Sequence, residues 1–220
     1  MEFSTWLLYI SVIGILIFSP GPSALLCISH GLKFGNRRTI PTILGGAIAA
    51  LLLMSISAIG LGAILAASET LFFILKIAGA CYLVYLGWMS WKEGSIQIES
   101  NVIDVQNMDK NNGQHYSFTG LFRKGFMVGI SNPKDLLFFI ALFPSFMNAA
   151  LPQMEQYMVL ASTWFVFDCT SMFMYAGIGS QISPWLSKAR TMRLVNRSIG
   201  SLFIVLGSAL AISTGIIHKN

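Results

Sequence analysis

Six long apolar segments occupy most of this chain of 220 residues, at about 4–29, 40–66, 71–91, 121–147, 152–182 and 195–217. Each segment reaches the roughly 20 residues that a helix needs to cross about 30 Å of hydrocarbon. Membrane-spanning β-strands would instead be about ten residues long and would alternate polar with apolar side chains. Only 10% of the residues are charged, against about 25% in soluble domains. The sequence therefore predicts an all-α membrane protein with six transmembrane helices.

The basic residues fall mainly on alternate connections between the predicted spans. The connections after spans one, three and five hold or adjoin eleven of the fourteen lysines and arginines, namely Lys33, Arg37, Arg38, Lys92, Lys110, Arg123, Lys124, Lys188, Arg190, Arg193 and Arg197. Cytoplasmic loops carry an excess of Lys and Arg, so we expect these connections in the cytoplasm and both termini outside. The net charge of +5 is then a signal for membrane orientation, and we expect no nucleic-acid partner.

Two short motifs recur in the same order in both halves of the chain. GPSALL at 21–26 resembles NPKDLL at 132–137, and KIAGACYLVYLG at 76–87 resembles RSIGSLFIVLG at 197–207. The polar stretch between the halves is typical of a flexible linker. We therefore expect a three-helix repeat at 1–91, a cytoplasmic linker at 92–118 and a second three-helix repeat at 119–220. An odd number of spans inverts the second repeat relative to the first, as in many secondary transporters.

Prolines interrupt predicted spans one and four at corresponding places. A proline removes a backbone donor and clashes with the preceding turn, so these helices should break near 19–22 and near 131–133. Matched breaks in inverted halves point to a substrate site, because the freed backbone groups need protein or a watery cavity around them. The alternative is two ordinary proline kinks that serve helix packing. The candidate binding residues at the breaks are Ser19, Pro20, Gly21, Pro22, Ser23, Asn132, Pro133, Lys134 and Asp135.

The local chemistry of both breaks suits an anionic group. Pro22 and Pro133 fit the first position of a restarted helix, where the missing N–H would have been unpaired in any case. Asn132 is a good N-cap, and Asp135 lies in the first turn, where a carboxylate is favoured. The N–H groups of a restarted helix carry partial positive charge, so we expect the two restarts to attract a substrate carboxylate.

Three formal charges remain inside the predicted spans: Lys134, Asp135 and Asp168. A charge at the centre of a span costs on the order of 2.5–3.5 kcal/mol on insertion scales, so each needs a partner or a function. We expect Asp168, the deepest of the three by sequence, to accept a proton or a substrate ammonium; the alternative is a neutral aspartic acid that joins helices by hydrogen bonds. Lys134 and Asp135 have two alternatives, a reach to the membrane boundary or a local ion pair. Tyr175, two turns after Asp168, is a candidate for the same cavity or a packing residue.

Small residues are concentrated in predicted span two. The stretches GGAIAA at 45–50 and IGLGAILAA at 59–67 consist mostly of glycine and alanine. Small residues let helix backbones approach closely, so we expect this span to pack tightly against another helix or another protomer.

The residues that other classes of function need are not arranged for them. No CxxC pair, HxxxH pair or metal-ligand spacing is formed by Cys27, Cys81, Cys169, His30, His115 and His218. We therefore expect no metal, no cofactor and no redox chemistry. Export of a metal cation stays as an alternative function, but it would need a cluster of ligands within the spans, where only Asp135 and Asp168 are found.

Four longer stretches together suggest a known family. They are SPGPSALL at 19–26, LKIAGACYLVYLGW at 75–88, GFMVGISNPKDLLFFIALFPSF at 125–146 and FVFDCTSMFMYAGIG at 165–179. With them the chain resembles, over essentially its whole length, the lysine-exporter (LysE/RhtB) family of bacterial amino-acid exporters. The resemblance implies a small inner-membrane secondary transporter, often dimeric, that exports amino acids or close derivatives in exchange for protons, and not an enzyme.

The resemblance also assigns residues. The family's two proline motifs correspond to 19–22 and 132–134 of this chain, and its acid in span five corresponds to Asp168. Many members have Asp directly after the PGP motif, where this chain has Ser23. The resemblance therefore implies that any role of that acid in proton coupling or amine recognition passes to Asp135 or Asp168, or is lost.

Overall fold

The computed structural model of the chain describes residues 1–18, 20–67, 77, 80–81, 84–85, 87–89, 91–92, 117–148, 151–186 and 189–217. Most of the described residues are helical, and they include no β-strand. The prediction of an all-α fold is thus confirmed. The linker predicted at 92–118 lies outside the described residues except at its two ends, and the division into two repeats stays a prediction.

The first apolar segment forms two helices instead of one. α1 spans Phe3–Ile17 and α2 spans Pro22–Phe34, and their axes differ in direction by 57°. Pro22 begins α2 at a position where a missing N–H leaves no intrahelical bond unmade. α2 ends at Gly35, whose φ of 80° lies in the left-handed region that favours glycine. The break predicted at 19–22 is confirmed, although Ser19 itself lies outside the described residues.

The segment predicted as span four is broken as well. α4 spans Phe118–Ile130, and α5 spans Pro133–Leu137. The chain then continues as a π-turn at Phe138–Leu142 and a 3₁₀-turn at Phe143–Phe146. The break at 131–133 was predicted, whereas the π-turn and the 3₁₀-turn were not. The hydroxyl of Ser57 donates a hydrogen bond of 2.5 Å to the carbonyl of Phe139, so a neighbouring helix satisfies a backbone group in this irregular region.

The described residues also form three long helices: α3 at Asn36–Ala67, α6 at Gln153–Leu186 and α7 at Ala189–Ile217. Within the described ranges, Asn36–Gly60 and Gln153–Gly179 are each long and apolar enough to cross a membrane, and the bent α1–α2 pair would add a third span. The described residues between 77 and 92, in predicted span three, are helical. The count of six spans and their inverted arrangement stay predictions.

α3 and α4 approach each other at glycines. A Cβ atom added to Gly125 of α4 would collide with the carbonyl of Thr42 on α3, and one added to Gly45 would collide with the carbonyl of Phe122. Gly129, one turn after Gly125, faces α3 in the same way. Small residues at such positions allow two helix backbones to pack closely. The tight packing predicted for span two is therefore confirmed at the GGAIAA stretch, where the partner is α4, which belongs to the other predicted repeat. At Gly60, in the second small-residue stretch, a Cβ atom would have nothing within 4 Å.

Gly125→Ala is expected to destabilise the protein, because the new methyl group would overlap the Thr42 carbonyl and force α3 and α4 apart. Overpacking of this kind typically costs about 1–3 kcal/mol, and each kcal/mol shifts the melting temperature by about 2–4 °C in a chain of this size. The test is thermal unfolding of the purified protein in detergent. Gly14→Ala is the matched control, since nothing lies within 4 Å of a Cβ atom at Gly14. Equal melting temperatures for the two variants would contradict the close contact.

Two apolar clusters lie on either side of Asp168 along α6. The larger joins α1, α3, the α5 region, α6 and α7, and its aromatic members are Tyr9, Phe138, Phe139, Phe143, Phe146, Trp164 and Phe203. The smaller joins α2, α3 and α6 and consists of Ala24, Cys27, Ile28, Ile43, Met172, Tyr175 and Ala176. Trp164 precedes Asp168 by four residues and Met172 follows it by four, so the two clusters flank the carboxyl group on both sides.

Candidate substrate site at the two helix breaks

The two helix breaks contact each other. Asn132, the residue before α5, donates a hydrogen bond of 3.3 Å from Nδ2 to the Oγ of Ser23 in the first turn of α2. These residues are 109 positions apart in the chain. The breaks in predicted spans one and four therefore lie together.

Asn132 organises the second break. Its side chain is buried, and its Oδ1 accepts a hydrogen bond of 3.2 Å from the backbone N–H of Lys134, which makes it the N-cap of α5. Its Nδ2 also donates to the Oδ2 of Asp135 over 2.8 Å. The cap was predicted from the sequence, but the bonds to Ser23 and Asp135 were not. One side chain therefore caps α5, orients Asp135 and touches the other break.

The side chain of Lys134 extends to the first break. Its Nζ donates a hydrogen bond of 3.0 Å to the carbonyl of Leu16, in the last turn of α1. A Cβ atom at Gly21 would lie 3.4 Å from the same Nζ. The C-terminal end of a helix carries partial negative charge and unpaired carbonyl groups, so a cation is stabilised there. The ammonium of Lys134 is thus held between the end of α1 and the start of α2.

Tyr175 also binds the end of α1. Its hydroxyl donates a hydrogen bond of 2.8 Å to the carbonyl of Phe18, the C-cap residue of α1. The side chain is buried in the smaller apolar cluster. Two alternatives were predicted for Tyr175, lining the cavity with Asp168 or packing between helices. It packs in this cluster and is absent from the cavity wall, and its hydroxyl pairs with a carbonyl at the first break.

A small cavity lies where the two breaks meet. It has a volume of about 10 Å³ and polar walls formed by Ser23, Thr42, Asp135 and Asp168; its apolar walls include Leu26, Cys27, Ile43 and Met172. This volume holds about one water molecule. The cavity is therefore polar, enclosed by five helices, and too small for an amino acid in this conformation.

Asp168 faces this cavity from the middle of α6, and only 9% of its surface is exposed. Asp135 and Lys134 are its charged neighbours. An isolated carboxylate in such surroundings is energetically unfavourable, so it must be neutralised by a proton or a nearby cation. The hydroxyl of Ser171, three residues further along α6, is fully buried and has no hydrogen-bond partner within the described structure.

The structure brings most of the predicted residues together. Around the two breaks it places Pro20, Gly21, Pro22, Ser23, Asn132, Pro133, Lys134 and Asp135, with Asp168 across the cavity and Tyr175 on the end of α1. Thr42 on the cavity wall was not predicted, because nothing around it in the sequence marks it. Among the described residues, no group of three or more His, Cys, Asp and Glu side chains is placed to hold a metal ion.

Comparison with known proteins gives one matching family and several similar membrane proteins. A family model described as LysE type translocator matches residues 14–214. The homoserine/homoserine lactone efflux protein of Salmonella typhimurium is 32% identical over 211 residues, covering 96% of this chain and 98% of that protein. An uncharacterized membrane protein of Vibrio cholerae is 29% identical over 211 residues, with the same coverage of 96% and 98%. The leucine efflux protein of Enterobacter sp. (strain 638) is 27% identical over 203 residues, covering 89% and 90%. No solved structure matches the chain.

Proposed function

Because the chain belongs to the family of LysE type translocators, we propose that it exports amino acids or close derivatives of them across the bacterial inner membrane in exchange for protons. The family consists of transporters and not of enzymes. Relatives named for the efflux of homoserine, homoserine lactone and leucine support this class of substrate. The observation that carries the proposal is the cavity between the two breaks, with carboxyl groups on its wall and an ammonium group beside it.

The carboxylate of an amino acid would bind at the positive side of this site. Gly21 caps α2 without a side-chain hydrogen bond, so the first-turn N–H groups of α2 are available to a ligand. The Nζ of Lys134 lies beside Gly21 and adds a full positive charge. At the second restart Asn132 already accepts from the Lys134 N–H. α2 therefore offers the more open anion site of the two.

The amino group would bind at the negative side, formed by Asp135 and Asp168. An ammonium neutralises a buried carboxylate whose isolated charge would be costly. Homoserine, its lactone and leucine share the amino group, whereas the lactone has no free carboxylate. The ammonium contact is therefore the one that all three compounds can make.

Coupling would follow from competition at Asp168. A proton and a substrate ammonium would neutralise the carboxylate of Asp168 in turn. The site would then change between facing the cytoplasm and facing the outside only when either the proton or the substrate is bound. Asp135 would supply the second acid. The Nδ2 of Asn132 bonds both Asp135 and Ser23, so the carboxylate of Asp135 lies near the position where many relatives have an acid. In this proposal Asp135 takes the role that the resemblance assigns to an acid at the position of Ser23.

Transport requires the helices around the cavity to move. The enclosed volume of about 10 Å³ holds about one water molecule, so an amino acid enters only when α2 or α5 shifts. α2 is bounded by the break at 19–22 and by Gly35 with its φ of 80°, and residues at the ends of an element can absorb such a hinge motion. The described conformation corresponds to a closed site.

The proposed architecture is two inverted three-helix repeats at 1–91 and 119–220, with the linker at 92–118 in the cytoplasm and both termini outside. Two contacts support it. The breaks of spans one and four touch through Ser23 and Asn132, and the helices of spans three and six touch at Gly87 and Gly200, backbone to backbone. Equivalent elements of an inverted repeat are expected to meet near its axis. We also propose a homodimer, on the strength of the resemblance alone.

Transport by inside-out membrane vesicles tests the function. Vesicles that hold the protein should take up radiolabelled homoserine or leucine when their interior is acidified, because an exporter is inverted in them. A gradient of one pH unit supports about tenfold accumulation in a one-to-one exchange. Vesicles without the protein are the control. Uptake of labelled divalent metal ions with no uptake of either amino acid would instead favour the metal-cation exporter.

A further inference from the structure

The imidazole of His30 is buried and has no part in the proposed binding of substrate. It lies on α2 with 1% of its surface exposed. Its Nδ1 is 2.7 Å from the Oγ1 of Thr42 on α3, and its ring packs against Phe34 at 5.3 Å between centroids. Thr42 is equally buried. Burial of polar groups between two helices is unfavourable unless they are hydrogen-bonded, as these two are.

Thr42 connects this histidine to the cavity. The same side chain that bonds His30 lines the cavity together with Asp168, Asp135 and Ser23. The cavity has room for about one water molecule and offers it two to four polar partners, the number that a buried water needs. One water there would join Asp168 to Thr42, which is already hydrogen-bonded to His30.

His30 lies between the cavity and the basic turn that joins α2 to α3. Ser23, on the cavity wall, is two turns before it on α2, and the exposed Lys33 is less than one turn after it. The turn continues with Arg37 and Arg38, both exposed. The positive-inside rule assigns such a turn to the cytoplasm, so the chain of hydrogen bonds runs from the centre of the site towards the cytoplasmic face.

We propose that Thr42 and His30 form the inner part of the proton path, an inference that rests on the proposed proton-coupled export. Asp168, protonated from outside, gives its proton to the cavity water as substrate ammonium arrives. The water passes a proton to the hydroxyl of Thr42, which at the same time gives its own proton to Nδ1 of His30. The resulting imidazolium releases a proton towards the basic turn. One proton leaves Asp168, one reaches the cytoplasm, and no electrons are transferred.

The charged groups on the helices around His30 show which acid is placed to supply the proton. α2 packs against α3, α4 and α6, and the charged side chains described on these helices are Lys33, Arg37, Arg38, Arg123, Lys124, Glu155 and Asp168. Glu155 is exposed at the far end of α6. Asp168 is therefore the acid on these helices that is placed to supply the proton, with Asp135 facing it across the cavity.

His30→Asn tests the path in the full-length protein reconstituted into lipid vesicles. An asparagine keeps a polar atom near the position of Nδ1 but cannot carry a proton at neutral pH. With leucine and homoserine as probes, two rates are measured: export driven by a pH gradient, and exchange of labelled for unlabelled amino acid without a gradient. We expect gradient-driven export to fall about a hundredfold, the loss typical of a missing proton-transfer group. Exchange, which needs binding and movement but no proton release, should stay at the wild-type rate.

Thr42 supplies a second pair of variants. Thr42→Val keeps the shape and removes the hydroxyl, so it should lose gradient-driven export, whereas Thr42→Ser restores the hydroxyl and should recover it. Gradient-driven export that survives both His30→Asn and Thr42→Val overturns the relay. Loss of exchange in His30→Asn and also in His30→Gln overturns it too, because His30 would then be structural. Absence of a pH effect on the wild-type protein would instead overturn the proposed antiport, and with it the need for a relay.

Discussion

Asp168→Asn is expected to reduce pH-gradient-driven export of homoserine or leucine to the level of vesicles without protein. Asparagine has nearly the shape of aspartic acid and can form hydrogen bonds, but it neither takes up a proton nor neutralises a substrate ammonium. Asp168 faces the cavity, with 9% of its surface exposed. Little water is therefore available there to solvate a substrate ammonium that has lost its carboxylate partner. The amount of inserted protein and its melting temperature should match those of the wild type, and both are measured on the vesicles used for transport.

Glu155→Gln is the matched control for this substitution. Glu155 lies on the same helix, in its first turn, but it is exposed, and we expect export to stay at the wild-type level. Full gradient-driven export by Asp168→Asn would show that Asp168 only joins helices by hydrogen bonds. Asp135, the second carboxyl group on the cavity wall, would then be the residue to test for coupling.

The helix breaks could be predicted from the sequence because their causes are local. A proline cannot continue a helix and is favoured at the start of one, so the positions of Pro22 and Pro133 indicated where α2 and α5 begin. The N-cap role of Asn132 follows from the residue type directly before Pro133. An intramembrane carboxyl group stands out in any apolar segment, and Asp168 was identified in that way.

The contacts that complete the site could not be predicted, because each joins residues far apart in the chain. Lys134 binds a carbonyl 118 positions away, and Tyr175 binds one 157 positions away. In both cases the partner is a backbone group at the end of α1, which has no signature in the sequence. Thr42 is one of two threonines near the start of α3, and only the approach of α3 to α2 gives it a role. His30 was assigned no function for the same reason, because its partner Thr42 lies on a different helix.

These long-range contacts give Lys134 a particular importance. The ammonium group of Lys134 donates a hydrogen bond to the carbonyl of Leu16. Its charged neighbours are the carboxylates of Asp135 and Asp168. The breaks are therefore joined by a charged side chain in a region with little access to water. Two ordinary proline kinks would have no need for such a group, so the substitution of Lys134 separates the packing hypothesis from the site hypothesis.

Lys134→Met is expected to abolish export and to lower stability, because it leaves the Leu16 carbonyl unpaired and Asp135 without a nearby cation. A buried acceptor that loses its partner costs about 1–3 kcal/mol, and each kcal/mol lowers the melting temperature by about 2–4 °C in a chain of this size. Melting in detergent and transport in vesicles are the two measurements. Lys33→Met is the control: this lysine is exposed on α2, and surface substitutions usually change stability by less than about 0.5 kcal/mol.

The double variant Lys134→Met/Asp135→Asn shows whether the two charges act together. Breaking a buried charge pair by removing one partner costs more than removing both, since the remaining charge is left uncompensated. We therefore expect the double variant to melt at a higher temperature than Lys134→Met alone, with a coupling energy of about 0.5–3 kcal/mol, while export stays absent in both. If the two substitutions lower the melting temperature additively, the charges do not interact. Lys134 would then stabilise the first break through the Leu16 carbonyl alone, and Asp135 would have to be neutralised by some other group at the site.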